Sequence, residues 1–190
     1  PFNFAQVKVR GIDYAVNYNL PMDRLFNNGS SSSLTLNGTA TNYLENLVDN
    51  GISVPVDTVG QNSGQSSTPD WIFRLSATFD TPTYSITAVG RGVSSGTYSN
   101  TYIVCTTGCP ASTAANPTID NNHIKGTFYT DLNFTAKIKV GGSDGQLFFN
   151  ITNLFDKDPI LLPETGLSAN STFSDLLGRS FRVGVRFKTN

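Results

Sequence analysis

Charged residues are scarce in this sequence. Asp, Glu, Lys and Arg make up 14% of the 190 residues, whereas about 25% is common in soluble domains. The formal net charge is only −1, so there is no excess of positive charge to attract the phosphates of a nucleic acid. We therefore expect no nucleic-acid partner.

Long apolar runs are missing as well. Hydrophobic residues make up 38% of the chain, and no stretch approaches the roughly 20 apolar residues that a membrane-spanning helix requires. No basic segment followed by an apolar one marks a signal peptide near the first residues. The sequence starts abruptly at Pro1 in strand-like residues, and we therefore expect a fragment or a processed product of a longer chain.

Histidine and cysteine are rare, since the chain has one histidine, His123, and two cysteines, Cys105 and Cys109. These residues are too few for a zinc site, so we expect no metal. The two cysteines are separated by three residues in a loop rich in Thr, Gly and Pro. This spacing favours a small loop-closing disulfide and an oxidising compartment, and two free thiols are the alternative.

Groups with catalytic potential are also few. The carboxylates Asp156, Asp158 and Glu164 lie in a predicted loop without partners, which is a poor basis for acid–base chemistry. The glycine-rich stretch 89–96 is not followed by a helix whose amides would hold a phosphate, and glycines within a strand more often mark bends or close packing. We expect no enzymatic activity and no cofactor.

Alternation of apolar and polar residues is the strongest signal that is present. Asn, Thr, Ser and Gly are interleaved with β-branched and aromatic residues, which predicts an all-β protein. The clearest segment spans residues 127–140, where nearly every second side chain is apolar. Seven such strands are predicted, with the apolar faces Ile12–Leu20, Leu34–Ala40, Trp71–Phe79, Tyr84–Ala88, Phe128–Val140, Leu147–Ile151 and Phe181–Phe187.

The predicted strands are long, and one of their faces is almost free of charge. Strands of soluble proteins are commonly about 5 to 6 residues long, whereas a tilted strand that spans a membrane needs about 9 to 11. An apolar face beside a polar one is typical of barrels that meet lipid outside and water inside. The polar face holds Arg74, Arg91, Asp131, Lys137, Lys139, Arg182, Arg186 and Lys188.

The connections between these strands alternate between long and short. Outer-membrane barrels have short periplasmic turns and long extracellular loops, so we predict an antiparallel transmembrane β-barrel segment whose last strand runs toward the periplasm. The connection 21–33 is an exception, because it should be short. The long connections are 45–70, 99–122 and 156–177, and the short ones are 81–83 and 141–145.

Seven strands do not close a barrel on this interpretation. Backbone groups that face lipid must all be hydrogen-bonded, so a membrane-spanning sheet has to close. Bacterial single-chain barrels also have even numbers of strands. We therefore expect the seven strands to belong to a larger barrel, with further strands pairing along both edges.

Four stretches together resemble the C-terminal barrel region of TonB-dependent outer-membrane receptors. "QLFFNITNLFDKDP" (146–159) and "DLLGRSFRVGVRFK" (175–188) resemble the closing strands of that family. "VKVRGIDYAVNYNL" (7–20) is similar to a recurrent strand, and "CTTGCPASTAANPTIDNNHIKGTFYTDL" (105–132) is similar to a cysteine-containing loop and strand of proteobacterial members. The order and spacing of the stretches carry the resemblance over nearly the whole chain.

The resemblance implies a barrel of about 22 strands, of which residues 1–190 would be roughly the last seven. The plug domain and the TonB box would lie outside this stretch. The family imports scarce nutrients, such as iron–siderophore chelates, cobalamin or oligosaccharides, across the bacterial outer membrane. Its partners would be the remaining strands and the plug of the same receptor, TonB, and outer-membrane lipid.

Basic residues on the polar face are candidates for contact with the plug. They would point into the lumen near the periplasmic end and pair there with carboxylates of the plug. The alternative is a solvated polar wall without a specific partner. The candidates are Lys137, Lys139, Arg182, Arg186 and Lys188.

Three aromatic residues, Trp71, Tyr98 and Tyr102, are predicted near the outer rim. Long loops on a rigid scaffold commonly carry function, so these rings are candidates for stacking on a sugar or an aromatic chelate. The alternative is a girdle of aromatic residues at the membrane interface.

Two other classes of protein remain as alternatives. One is a passive porin-like barrel. The other is a secreted β-sandwich that serves as a binding module or adhesin, for which the N-x-S/T triplets would be glycosylation sites. Three of these triplets fall within predicted strands, which weakens that interpretation. The triplets begin at Asn28, Asn37, Asn133, Asn150 and Asn170.

Overall fold

A computed structural model describes residues 6–22, 31–64, 68–140, 143–163, 166 and 169–187. The described chain is all-β, as predicted. Across these residues no helix is long or apolar enough to cross a membrane. The strands are β1 (Gln6–Pro21), β2 (Ser33–Asp49), β3 (Val56–Asp57), β4 (Trp71–Asp80), β5 (Tyr84–Val93), β6 (Gly96–Thr97), β7 (Ile103–Val104), β8 (Thr118–Ile119), β9 (His123–Ile124), β10 (Thr127–Val140), β11 (Ser143–Thr152) and β12 (Ser180–Phe187).

The seven long strands form one antiparallel meander in the order β1-β2-β4-β5-β10-β11-β12. Each strand pairs with the next long strand along the chain, and the register is continuous except for a bulge beside Arg10 and Gly11. Among the described residues β1 and β12 pair on one side only. Because the number of strands is odd, these two edge strands run in the same direction.

The register aligns the apolar positions of all seven strands on one face, as the alternation predicted. One row across the sheet contains Tyr14, Ala40, Phe73, Gly92 and Phe128. A second row continues the same face to the last strand through Phe134, Phe149 and Val183. We call this surface the apolar face and the opposite surface the polar face.

No described residue covers most of the apolar face. Val16 is 61% exposed near one edge of the sheet, and Val183 is 71% exposed near the other. The accessible surface of the chain is 12422 Å², whereas a compact protein of this mass exposes about 8,900 Å². The excess arises because a broad sheet leaves most of both faces open.

The long and short connections lie at opposite ends of the sheet. We call these ends the loop end and the turn end. The turn at 81–83 has the predicted position, but β11 begins at Ser143, inside the predicted turn 141–145. β10 and β11 remain paired up to this turn, where Lys139 lies opposite Asp144. The turn is therefore shorter than predicted, and residues 141–142 lie outside the described part.

The other boundary differences concern β1 and β2. β2 extends to Asp49 through residues that were predicted to begin a long loop. In the connection 21–33, Met22 N donates to Ser32 O at 2.8 Å, so the two strands are still joined where they end. Residues 23–30 of that connection lie outside the described part of the chain.

Two glycines of β5 lie beneath aromatic rings of the apolar face. A Cβ atom on Gly90 would come within 2.8 Å of the Phe128 ring, and one on Gly92 would come within 2.8 Å of the Phe73 ring. The glycine-rich stretch therefore provides close packing in a strand, as expected, and not the start of a helix.

Candidate functional site

The three long connections contact one another at the loop end. Asn62 links them, because its amide nitrogen Nδ2 donates to Ser94 O at 2.8 Å and its backbone oxygen accepts from Asn170 Nδ2 at 2.5 Å. Asn62 is only 2% exposed and Asn170 only 4%. These buried amide contacts join segments that are far apart in the sequence, so the loops form one packed layer.

The connection between β11 and β12 folds back over the polar face. We call residues 153–179 the strap. Asn153 N donates to Asp131 Oδ1 at 2.9 Å, where the strap begins. Further along, Thr127 Oγ1 donates to the strap oxygen Phe173 O at 3.1 Å. The strap is therefore attached to β10 both at its start and near Phe173.

A small core lies near the loop end on the polar face. Tyr129 is 1% exposed, Val89 is 6% exposed and Val93 is 7% exposed, although these residues point to the polar side of the sheet. From the strap, Leu162 is fully buried. Covering by the strap explains why apolar residues occur on this face.

Arg91 is the main charged residue beneath the strap. Its Nε donates to Asp131 Oδ2 at 3.2 Å, and its Nη2 donates to Asp175 Oδ2 at 3.1 Å. The guanidinium carbon also lies 5.1 Å from the centre of the Tyr129 ring, within the range of a cation–π interaction. One arginine thus connects β5, β10 and the strap.

A cleft of about 280 Å³ opens beside Arg91, between the polar face and the strap. Arg74 lies directly opposite Arg91 in the register of β4 and β5, and both line the cleft. Arg74 is exposed and has no ion pair with any described residue. Alternation had placed both arginines on the polar face, but only the register brings them together.

The structure separates the predicted basic residues of the polar face into two groups. Lys137 is already engaged, because its Nζ lies 3.0 Å from Asp80 Oδ1 and donates to Thr81 O at 2.7 Å. The other candidates are exposed and form no ion pair within the described part of the chain, and Lys188 lies outside that part. The unpaired candidates are Lys139, Arg182 and Arg186.

A larger open cavity of about 840 Å³ lies at the turn end. Lys137, Lys139 and Arg186 line it together with one carboxylate, Asp144. The structure therefore brings three of the predicted basic residues to one cavity. Arg182 and Arg186 line an adjoining shallower depression with Asn150.

The three predicted rim aromatics do not form one site. Trp71 is on the apolar face, where its ring stacks on Tyr14 with centroids 5.7 Å apart. Tyr98 and Tyr102 are half-buried within the connection 94–126, where Tyr98 N donates to Asn122 O at 3.1 Å. Trp71 therefore points away from the polar face.

The aromatic residues of the apolar face form two bands. Near the loop end, the Tyr14–Trp71 stack lies beside the Phe73–Phe128 stack, whose centroids are 6.0 Å apart. Near the turn end, the ring of Tyr84 lies between those of Phe79 and Phe134, with both centroid distances 6.2 Å. On the apolar face, the rows of paired residues between the two bands contain no charged residue.

The loops contain the predicted disulfide. Cys105 and Cys109 form a disulfide, which confirms the loop-closing interpretation. Asp156 accepts from Arg179 N at 2.9 Å and Asp158 is exposed, while Glu164 lies outside the described residues. In the described ranges no cluster of His, Cys, Asp and Glu could hold a metal ion.

At the loop end of β1 and β2, a small ion-pair cluster lies beyond the aromatic band. Glu45 lies 3.0 Å from Lys8 Nζ and accepts from Arg10 Nε at 2.5 Å. The hydrogen bond from Lys8, with a smaller contribution from Arg10, holds the pKa of Glu45 below its usual range. The cluster is at the surface, so its contribution to stability is small.

In comparisons with protein-family models, with curated proteins and with solved structures, nothing matches this chain. The arguments about function therefore rest on the residues and on the geometry described above.

Proposed function

We propose that this chain forms part of the wall of a transmembrane β-barrel in the outer membrane of a Gram-negative bacterium, within an active transporter of the TonB-dependent receptor kind. The observation that carries the proposal is the apolar face, which extends across seven strands without a cover. Monomeric soluble proteins rarely expose an apolar surface of this extent. Lipid would cover it.

The dimensions of the apolar face support this proposal. From Phe128 to Ile138, β10 rises about 33 Å at roughly 3.3 Å per residue. A strand tilt of about 40° reduces this to about 25 Å along the membrane normal, which equals the usual height of the apolar band of an outer-membrane barrel. Trp71 stacks on Tyr14 at the loop-end limit of this face, so it is better interpreted as a girdle residue than as a substrate contact.

The two free edges support a larger barrel. β1 and β12 run in the same direction, so two copies of this chain would meet through parallel pairs. Outer-membrane barrels are antiparallel throughout. Closure therefore requires an odd number of further strands from another part of the receptor, and this gives an even total.

The basic residues on the polar face support a receptor with a plug more than an open porin. Lys139, Arg182 and Arg186 point to the polar side of the sheet and have no partner among the described residues. Carboxylates on a plug would neutralise them and hold the plug while leaving it displaceable. In a porin the same residues would face water.

The test is the accessibility of single cysteines in the intact protein in cells. Both native cysteines are paired, so Arg182→Cys and Arg186→Cys would each provide one reactive thiol. We expect both to react slowly with a charged methanethiosulfonate and quickly once the plug segment is deleted. Leu177→Cys is the control, because Leu177 is 89% exposed at the loop end and should react quickly in both cases.

Two results would contradict the proposal. Fast labelling at both positions in the intact protein would favour a porin-like barrel with an open lumen. Recovery of the protein in the soluble fraction instead of the outer-membrane fraction would exclude both kinds of barrel and favour a secreted module.

A further inference from the structure

We propose that the cleft beneath the strap is a binding site for a small organic anion, with Arg74 as the residue that holds the carboxylate of the ligand. The cleft has a volume of about 280 Å³ and lies on the polar face at the loop end. In the proposed barrel this position is on the path from the outside into the lumen.

The first argument is the juxtaposition of two like charges. Arg74 and Arg91 occupy directly opposite positions on β4 and β5, an arrangement that destabilises a sheet when neither charge is compensated. Asp131 and Asp175 compensate Arg91. Arg74 has no such partner among the described residues, so its guanidinium is free to bind an anion.

The second argument is that the nearby carboxylates are already engaged. Asp131 and Asp175 both accept from Arg91, and Asp13 accepts from Thr41 Oγ1 at 2.6 Å. None of the described residues that line the cleft is acidic. The guanidinium of Arg74 therefore offers its donors in a planar fork that matches a carboxylate.

The third argument concerns the walls of the cleft. Ile72 and Val93 line it from the sheet, and Phe173 lines it from the strap. Phe173 is positioned because its backbone oxygen accepts from Thr127 Oγ1. Among the described residues, apolar walls lie beside one cation without an ion pair, which favours an organic anion with a ring or short chain over inorganic phosphate.

The inference goes beyond the proposed function, because it assigns a ligand chemistry to a site that does not depend on lipid. The two proposals can also fail independently, because anion binding can be measured whether or not the protein enters a membrane. Benzoate is a suitable probe, because it combines one carboxylate with one apolar ring. Benzyl alcohol has the same ring without the charge, and inorganic phosphate has charge without the ring.

The experiment measures the dissociation constant of each probe for the purified intact protein in detergent by NMR titration. We expect benzoate to bind at least tenfold more tightly than benzyl alcohol and more tightly than phosphate. Arg74→Gln should weaken benzoate binding roughly tenfold or more, because a charge-assisted pair is lost. Arg74→Lys keeps the positive charge, so its affinity for benzoate should fall less than that of Arg74→Gln. Lys125→Gln removes an exposed charge outside the cleft and should change nothing.

The proposal is overturned if benzoate binds Arg74→Gln as tightly as the unsubstituted chain, or if it does not bind the unsubstituted chain at all. If phosphate binds as tightly as benzoate or more tightly, the proposal that the ligand is an organic anion is wrong. An equal loss in Lys125→Gln would show a general charge effect and would also contradict the site. Circular dichroism of each variant would verify that the strand content is unchanged.

Discussion

Arg91 donates from Nη2 to Asp175 Oδ2 at 3.1 Å, across 84 residues of sequence. The bond joins a strand in the middle of the sheet to the strap that follows β11. Because Arg91 also binds Asp131, the strap, β5 and β10 share one guanidinium. This contact holds the strap over the polar face at the loop end, whereas the strap does not extend to the turn end.

Asp175→Asn should loosen the strap. Asp175 is 11% exposed, and the substitution leaves part of the Arg91 guanidinium without its charged partner, so we expect a loss of about 1 to 2 kcal/mol in unfolding free energy. Trypsin cleavage at Lys157 and Arg179 should be faster. Asp158→Asn is the matched control, because that side chain is an exposed acid of the same strap, and it should change unfolding by less than about 0.5 kcal/mol. Equal effects of the two substitutions would contradict the role of the Arg91–Asp175 pair.

The seven long strands and their faces could be predicted from the sequence because they depend on a local pattern. A period of two places alternate side chains on opposite faces, and β4 and β10 have the predicted bounds for that reason. The boundaries of β2 and β11 were less accurate, because polar residues such as Asp144 continue the pairing without an apolar signal.

The strap and the loop layer could not be predicted in this way. They depend on single hydrogen bonds between distant residues, such as that from Asn170 to Asn62, which are 108 residues apart. A buried amide contact has no periodic signature in the sequence. Likewise, the pairing of Arg74 with Arg91 follows from the register, and the register is fixed by all the strands together.

Gly92→Ala should destabilise the junction of β5 and β10. An added Cβ would meet the Phe73 ring at 2.8 Å and would also overlap Thr127 O, so a shift of the backbone is required. Overpacking of this kind costs about 1 to 3 kcal/mol. Gly64→Ala is the control, because an added Cβ meets nothing within 4 Å there. The measurement is urea unfolding, and similar midpoints for both variants would contradict the close packing.

A charge on the apolar face should prevent assembly, whereas a charge on the adjacent polar position should not. Leu147 lies on the apolar face opposite Ala136, and Gln146 lies on the polar face opposite Lys137. An arginine in the lipid band costs up to about 2 to 4 kcal/mol, depending on its depth. We expect Leu147→Arg to lower the amount of protein in the outer membrane strongly and Gln146→Arg to leave it nearly unchanged. Equal amounts of the two variants would argue against lipid contact.

The disulfide should be local in its effect. Cys105 and Cys109 are four positions apart, so the bond closes a small ring and adds about 2 kcal/mol at most through loop entropy. We expect iodoacetamide to modify neither cysteine before reduction and both afterwards, by intact mass. Substitution of both by serine should lower the unfolding free energy by no more than about 2 kcal/mol, and a larger loss would indicate that the loop supports the strands.

The most direct test of the account is the environment of the two faces of β11. Spin labels would be placed singly at Leu147 and Phe149, which lie on the apolar face, and at Gln146 and Asn150, which lie on the polar face. With the protein in lipid bilayers, electron paramagnetic resonance would compare quenching by oxygen with quenching by a water-soluble nickel chelate. The account predicts that labels on the apolar face respond to oxygen and not to nickel, in contrast to labels on the polar face. Labels on the apolar face that respond to nickel, or that are shielded from both reagents, would contradict it, because that face would then meet water or protein instead of lipid.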